Sequence, residues 1–289
     1  MKRLYTTLLL SLFLFAGFAQ EEAVEKPVDK PVRQPFESAY LLDNQTTYIP
    51  YVKTLEYVIQ HKFGSFENGV KDLFGIYAPG ANVRIGFNYV VYNNVQLGWG
   101  LTKTNMTNDF NVKWTAFEQT RENTFPVALT FYGVAAVNGQ PESYFGKDYS
   151  FSGRFSYFAQ AIASRKFNNW LSLQLGASFA HYNMVDRTKS DFDKVGVHLN
   201  GRMKFSPQMA FIFNYDQPLP LLILRNKDGE NTSPNIAAGL EISTSTHAFQ
   251  IFAGPYSGAL MQDIMVNNYN DLALSNFAIG FTITRLWSF

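Results

Sequence analysis

The sequence reads as an all-β protein, a transmembrane antiparallel up-and-down β-barrel of about twelve strands after a cleaved signal peptide and a short periplasmic linker. Three observations carry that reading. From residue 54 onward, segments of about ten residues alternate apolar and polar side chains, the period-two pattern of a sheet with two unlike faces. No apolar run after Tyr51 approaches the ~18 residues of a membrane-crossing helix. The connections between segments mostly alternate long and short, the asymmetry of outer-membrane barrels. Composition agrees: 27 Phe, 16 Tyr and 4 Trp make 16% of 289 residues, and charged residues are also only 16%, below the usual ~25%. The absence of cysteine excludes disulfides, thiolate metal sites and a lipidated N-terminal cysteine. A formal charge of +1 gives no basic excess for nucleic acid.

The elements follow in order. Lys2 and Arg3 precede the mostly apolar run 7–18, and Gly17 and Ala19 are small residues placed for a cut before Gln20; residues 1–19 are a secretory signal peptide. Without Lys2 and Arg3 the chain keeps 22 basic and 23 acidic residues, of the 24 and 23 it starts with. Residues 20–36 are highly charged and hold Pro27, Pro31 and Pro35, so little can pack. The division is therefore 1–19 signal peptide, 20–50 linker and N-terminal segment, and 51–289 barrel. Whether 37–50 hangs free, caps the barrel or enters it stays open.

The expected strands are 54–63, 82–91, 95–104, 110–120, 127–137, 151–166, 170–183, 195–205, 209–216, 235–243, 247–253 and 276–289. In the first, Leu55, Tyr57, Ile59 and Phe63 oppose Glu56, Gln60 and Lys62; in the last, Phe277, Ile279, Phe281 and Ile283 oppose Ala278, Gly280, Thr282 and Thr284. A soluble sandwich shows the same alternation, but its wet face is usually rich in Lys and Glu. Here the polar face mixes Gly, Ser, Asn and Gln with charges of both signs, which suits an enclosed, hydrated interior. The connections 105–109 and 121–126 are of similar length and are the weak part of the long–short pattern. Tyr51, Phe63, Tyr89, Trp170, Phe205, Tyr215 and Trp287 lie near strand ends, where interfacial aromatics belong. Trp287 and Phe289 end the last strand in phase with its apolar face and resemble the outer-membrane insertion signal read by the barrel-assembly machinery.

Residues 36–46 (FESAYLLDNQT), 55–64 (LEYVIQHKFG), 72–79 (DLFGIYAP), 154–158 (RFSYF), 214–218 (NYDQP), 245–250 (STHAFQ) and 279–285 (IGFTITR) resemble a family of Gram-negative outer-membrane β-barrels of unassigned function. The resemblance implies fold and location, with no substrate or catalytic residues. The run 219–224 is unusually apolar for an external loop and fits either a strand extension or a segment folded into the mouth.

Twelve strands enclose a narrow lumen, too small for a general porin. Its expected inward charges are Glu56, Lys62, Arg84, Lys113, Arg154, Arg202, Lys204, Asp216 and Glu241, a net-basic set. Rings of Arg and Lys select anions; the alternative is an ion-pair network that keeps the barrel rigid. Ser245 and His247 share a face at a short turn without a third triad member, and His181 and His61 fall on the outward parity, so an interfacial role is the better reading. Asp186, Asp191 and Asp193 could take a hard cation, yet basic neighbours favour a solvated loop. Residues 67–74 could form a short helix that folds into the lumen. No cofactor is implied. The expected partners are outer-membrane lipid, the assembly machinery and a periplasmic protein reached through 20–36. The function expected is a narrow channel or transporter for small solutes, the alternative a non-conducting docking barrel.

Overall fold

The computed structural model describes residues 29–147, 149–185, 192–220, 232–255 and 258–289. The signal peptide, most of the linker, Asp186, Asp191 and residues 221–224 lie outside these. A two-stranded hairpin comes first, β1 (Tyr40–Leu41) and β2 (Asn44–Gln45). The barrel strands follow: β3 (Thr54–Ser65), β4 (Asn82–Tyr92), β5 (Val95–Thr102), β6 (Thr107–Phe117), β7 (Ala128–Val137) and β8 (Phe155–Lys166). They continue with β9 (Leu171–Tyr182), β10 (Asp193–Lys204), β11 (Met209–Pro220), β12 (Asn235–Ser243), β13 (His247–Gly254) and β14 (Ala278–Ser288). Each pairs antiparallel with its chain neighbour, and β14 closes on β3 through pairs such as Ile283↔Ile59 and Trp287↔Leu55. The fold is a closed twelve-stranded barrel without a free edge, the form that leaves no backbone donor bare to hydrocarbon.

Parity decides what each strand buries. Along β3, Thr54, Glu56, Val58, Gln60 and Lys62 are buried while Leu55, Tyr57, Ile59 and His61 are half-exposed. On the outside, Phe87, Trp99, Trp114, Phe131, Phe211 and Phe249 are exposed, and rings meet across strands, Tyr57 tilted against Phe87 at 5.2 Å and Trp114 stacked on Phe131 at 5.7 Å. A water-facing sheet would not present such a band; a lipid-facing one does.

Strand ends differ from expectation where a neighbour extends the ladder. Residues 151–154 are a 3₁₀ turn rather than strand. β11 continues past Asp216 to Pro220, paired with β10 alone because β12 begins opposite Asp216. Pro218 and Pro220 therefore sit where the ladder is one-sided, the place a strand tolerates proline. Leu219 is thus on a strand extension.

The weak part of the loop pattern has a cause. At one rim, which carries both the residues entering from 31 and the end of β14, connections are short except for 118–127. That longer loop receives the entering chain: Pro31 bridges Thr120, the Val32 N–H donates to Gln119 O at 2.9 Å, and Arg121 Nε donates to Pro31 O at 3.1 Å. We call this the terminal rim and the opposite end the loop rim. In the first long loop, Phe66–Asp72 forms a 3₁₀ stretch that buries nothing. It therefore does not fold into the lumen, the placement that the sequence left open for residues 67–74. Its Asp72 accepts from the Gly75 N–H and from Asn68, which holds that carboxyl below the usual range.

The lumen is filled instead by two other pieces. Residues 38–50, grouped with the linker in the sequence division, are all buried inside the barrel. From the last long loop a short helix, α1 (Met261–Asn267), folds inward. Its Met261, Ile264, Met265 and Val266 pack on Tyr132, Val134, Ala136, Phe158 and Ala180 of the wall.

Candidate functional site

The site is the interior itself. Its wall is polar because every second strand residue points away from lipid, and buried polar groups need partners. The hairpin supplies many of them. At least eight of the twelve strands bond it directly, among them β3 through Lys62 to Asp43, β6 through Lys113 to Ala39 O and Gln45, β9 through Gln174 to Gln45 O, and β13 through Gln250 to Tyr40 O. The others are β4 through Arg84 to the Tyr40 hydroxyl, β8 through Gln160 to Asn44, β11 through Asp216 from Asn44, and β14 through Thr282 to Leu42 O. At the hairpin tip Leu42 takes φ 56°, a strained setting for a bulky residue. Its N–H donates to Gln250 Oε1 at 2.8 Å and its carbonyl accepts from Thr282, so wall side chains hold both peptide groups.

Five charge clusters stand out. Arg84 grips Asp109 with two bonds, Nε to Oδ1 at 2.9 Å and Nη2 to Oδ2 at 2.6 Å, the fork geometry suited to carboxylate. Gly100 makes this possible, since a Cβ there would lie 2.5 Å from Arg84 Nη2. Lys62 meets Asp43 at 2.8 Å. Arg202 Nε donates to Glu241 at 2.7 Å. Glu56 accepts from Asn88 and Gln96 at 3.1 and 3.2 Å.

The fifth cluster is a relay. Ser178 Oγ lies 2.7 Å from His198 Nε2, and His198 Nδ1 lies 2.8 Å from Asp216 Oδ1, on the adjacent strands β9, β10 and β11. The distances are those of a nucleophilic triad. The surroundings differ from those of a triad. Asp216 also accepts from Asn44, Asn214 and Asn235, and all three relay residues are buried. A Cβ at Gly196 would lie 2.6 Å from Met265 Sδ and 2.7 Å from Ser178 Oγ, so α1 closes over the serine. The relay ties the wall to the hairpin through Asn44.

Of the nine inward charges expected, Glu56, Lys62, Arg84, Lys113, Arg202, Asp216 and Glu241 are buried in the lumen. Lys204 is half-buried at the terminal rim. Arg154 belongs to the 3₁₀ turn at the loop rim, where it donates to Asn138 O and Gln140 O and lies over Phe145 at 4.7 Å. It pins loops rather than lining a strand face. Sequence reading missed Asp109 and Lys194 because their strands begin earlier than expected, and Asp43 because it lies in the hairpin. With them, the buried charges among the described residues are five basic (Lys62, Arg84, Lys113, Lys194, Arg202) and five acidic (Asp43, Glu56, Asp109, Asp216, Glu241), besides His198. The interior is balanced, not net-basic.

The other candidates resolve individually. His247 Nδ1 meets Thr246 Oγ1 at 3.0 Å rather than Ser245. His181 is bonded at both nitrogens, to Asp193 and Asn183, and His61 stacks on Phe281 at 5.0 Å. No three His, Cys, Asp or Glu side chains converge among the described residues. Trp287 lies on the outer face with Arg285 over its ring at 4.8 Å, and Phe289 is exposed. Beyond the filling lie a cavity of about 590 Å³ at the loop rim beside α1 and one of about 390 Å³ at the terminal rim.

Solved structures share this architecture. The COG4313 outer membrane channel from Pseudomonas putida F1 is 11% identical, with 83% of this chain and 97% of that one covered and a TM-score of 0.50. The KdgM porin is 9% identical over 82% and 99%, at 0.45, and the NanC porin 9% over 81% and 99%, at 0.45. At such identity the likeness is one of fold. No curated protein matches the chain. The model of the membrane bound beta barrel domain family (DUF5777) matches residues 36–287, hairpin included, and the chain belongs to that family.

Proposed function

We propose that the protein is a gated conduit for small polar solutes in the outer membrane, with both termini on the periplasmic side and the β1–β2 hairpin as the gate. The observation that carries this reading is the chemistry of the filling. Two cavities, of about 590 and 390 Å³, are separated by a hairpin that is held to the wall by many hydrogen bonds and the Lys62–Asp43 ion pair, besides the apolar contact of Leu41 and Leu42 with Ala210, Ile212, Ala237 and Phe252. The many polar groups of the wall can be rewetted when the hairpin withdraws, because water replaces each hydrogen bond that is broken. The fold likeness to the Pseudomonas putida channel is compatible with this role. The complete filling supports a second reading, a non-conducting barrel that docks partners through residues 20–36 and its outer loops.

Planar-bilayer conductance separates the two. The intact barrel should be closed at rest and open under applied voltage, and deletion of 36–50 should leave it open throughout. Ala39 and Val58 pack together. With no native cysteine to interfere, an Ala39→Cys/Val58→Cys bridge should hold the pore shut until reduced. Silence at every voltage, with and without the hairpin, would establish the docking reading instead.

A further inference from the structure

Beside the terminal-rim cavity lies a smaller one of about 220 Å³ that the gate does not use, lined by Arg33, Glu37, Lys166, Trp170, Arg202 and Lys204 among others. Its construction follows from strand register. Lys166 of β8 pairs with Ser172 of β9, and Ser172 pairs with Arg202 of β10, which sets the three in one row across the wall. Lys204 follows two residues nearer the rim, and the entering chain brings Arg33 alongside, its carbonyl accepting from Lys166 Nζ at 3.3 Å.

Arg202 is the informative member. Its side chain is 6% exposed, and Glu241 fixes it through Nε. Glu241 is itself buried and occupied on its other oxygen by Gln250 at 2.8 Å. Nη2 of Arg202 is buried and has no hydrogen-bond partner among the described residues; Glu37 Oε1 pairs with it at 3.9 Å, beyond hydrogen-bond reach. A buried guanidinium nitrogen left bare is costly unless something accepts from it. Four cations surround the cavity, and only Glu37 and the already engaged Glu241 oppose them.

We propose that this pocket binds an oxyanion of the phosphate class, which accepts from Arg202 Nη2 and is neutralised by Lys166, Lys204 and Arg33. Guanidinium and ammonium groups together suit a multiply charged tetrahedral anion. The volume is below that of an ordinary organic-ligand cleft, so it admits a phosphate and little attached to it. Two sources share this chemistry, free phosphate and a phospholipid headgroup. Trp170, 54% exposed at the same turn, stands where interfacial aromatics meet headgroups. The site does not depend on the barrel conducting.

Two arms distinguish the sources. In one, protein in phosphate-free detergent is dialysed to equilibrium against radiolabelled orthophosphate. In the other, protein reconstituted with phosphatidylglycerol is released for native mass spectrometry, and retained lipid is counted before and after orthophosphate is added. Arg202 is left intact, since its loss would strand Glu241. Saturable binding in either arm is expected. It should weaken about tenfold in Lys166→Gln and in Lys204→Gln and strengthen in Glu37→Gln, as removal of one charge beside a partly desolvated anion requires. Orthophosphate binding without retained lipid assigns the free ion, and lipid displaced by orthophosphate assigns the headgroup. No saturable binding in both arms, or binding unchanged by all three substitutions, overturns the proposal.

Discussion

Arg84 shows what a guanidinium needs inside a lipid-embedded barrel. It is 1% exposed, it spends two donors on Asp109, and it reaches Gln60 and the Tyr40 hydroxyl with a third nitrogen. Breaking such a pair from one side leaves a buried charge alone, at a cost of about 3–5 kcal/mol, whereas replacing both partners by apolar groups of like size is often neutral or favourable. Asp109→Ala should therefore lower the urea midpoint of the reconstituted barrel strongly, and Arg84→Met/Asp109→Leu should recover most of it; equal losses in single and double variants would show that the pair is not the unit. The relay makes a second residue-level case. Asp216→Ala strands His198, Asn44, Asn214 and Asn235 together, so it should destabilise more than Ser178→Ala, which removes one bond at the end of the chain. Ser178 should stay unlabelled by a fluorophosphonate, read on its proteolytic peptide, because α1 covers it. Labelling that vanishes in His198→Ala would make the relay catalytic.

The strands were legible in the sequence because their signal is local: period-two alternation is written in each segment by itself, and all twelve expected segments correspond to strands. Their ends were less so. Asp109 and Lys194 sit where a neighbouring strand continues the ladder, information that no single segment holds, and with them went the balance of interior charge. The hairpin was not legible at all as a lumen filler. Its residues FESAYLLDNQT carry no period, and what buries them is a wall assembled from strands as far as 246 positions away, as in Ser38 Oγ to Thr284 Oγ1. The inward helix was missed for the same reason, and the 3₁₀ stretch at 66–72 took its place in expectation. Position 196 tests how α1 is seated. Gly196→Ala would press on Met265 and Ser178, so it should lift α1 and expose residues 255–277 to protease at the loop rim while the barrel itself resists. Unchanged cleavage would mean that the helix is held from elsewhere.

Taken together, the barrel is apolar outside and closed by β14 on β3, with a hydrogen-bonded hairpin and an apolar helix filling it. Trp287 pairs with Leu55 and lies 6.1 Å from Tyr57, so the last strand carries both the seam and the proposed assembly signal. Deleting Phe289 and replacing Trp287 by Ala should lower insertion in cells far more than spontaneous folding into vesicles; an equal loss in both would make these residues structural rather than a signal. The seam has one more consequence. The hairpin precedes both of its strands in the chain, yet lies within the loop that they complete. The growing cylinder must therefore be wrapped around a segment that left the ribosome first, or that segment must later be drawn in through the mouth. In the first route the hairpin serves as a mandrel on which the staves are bent, and a chain lacking it would zip up late.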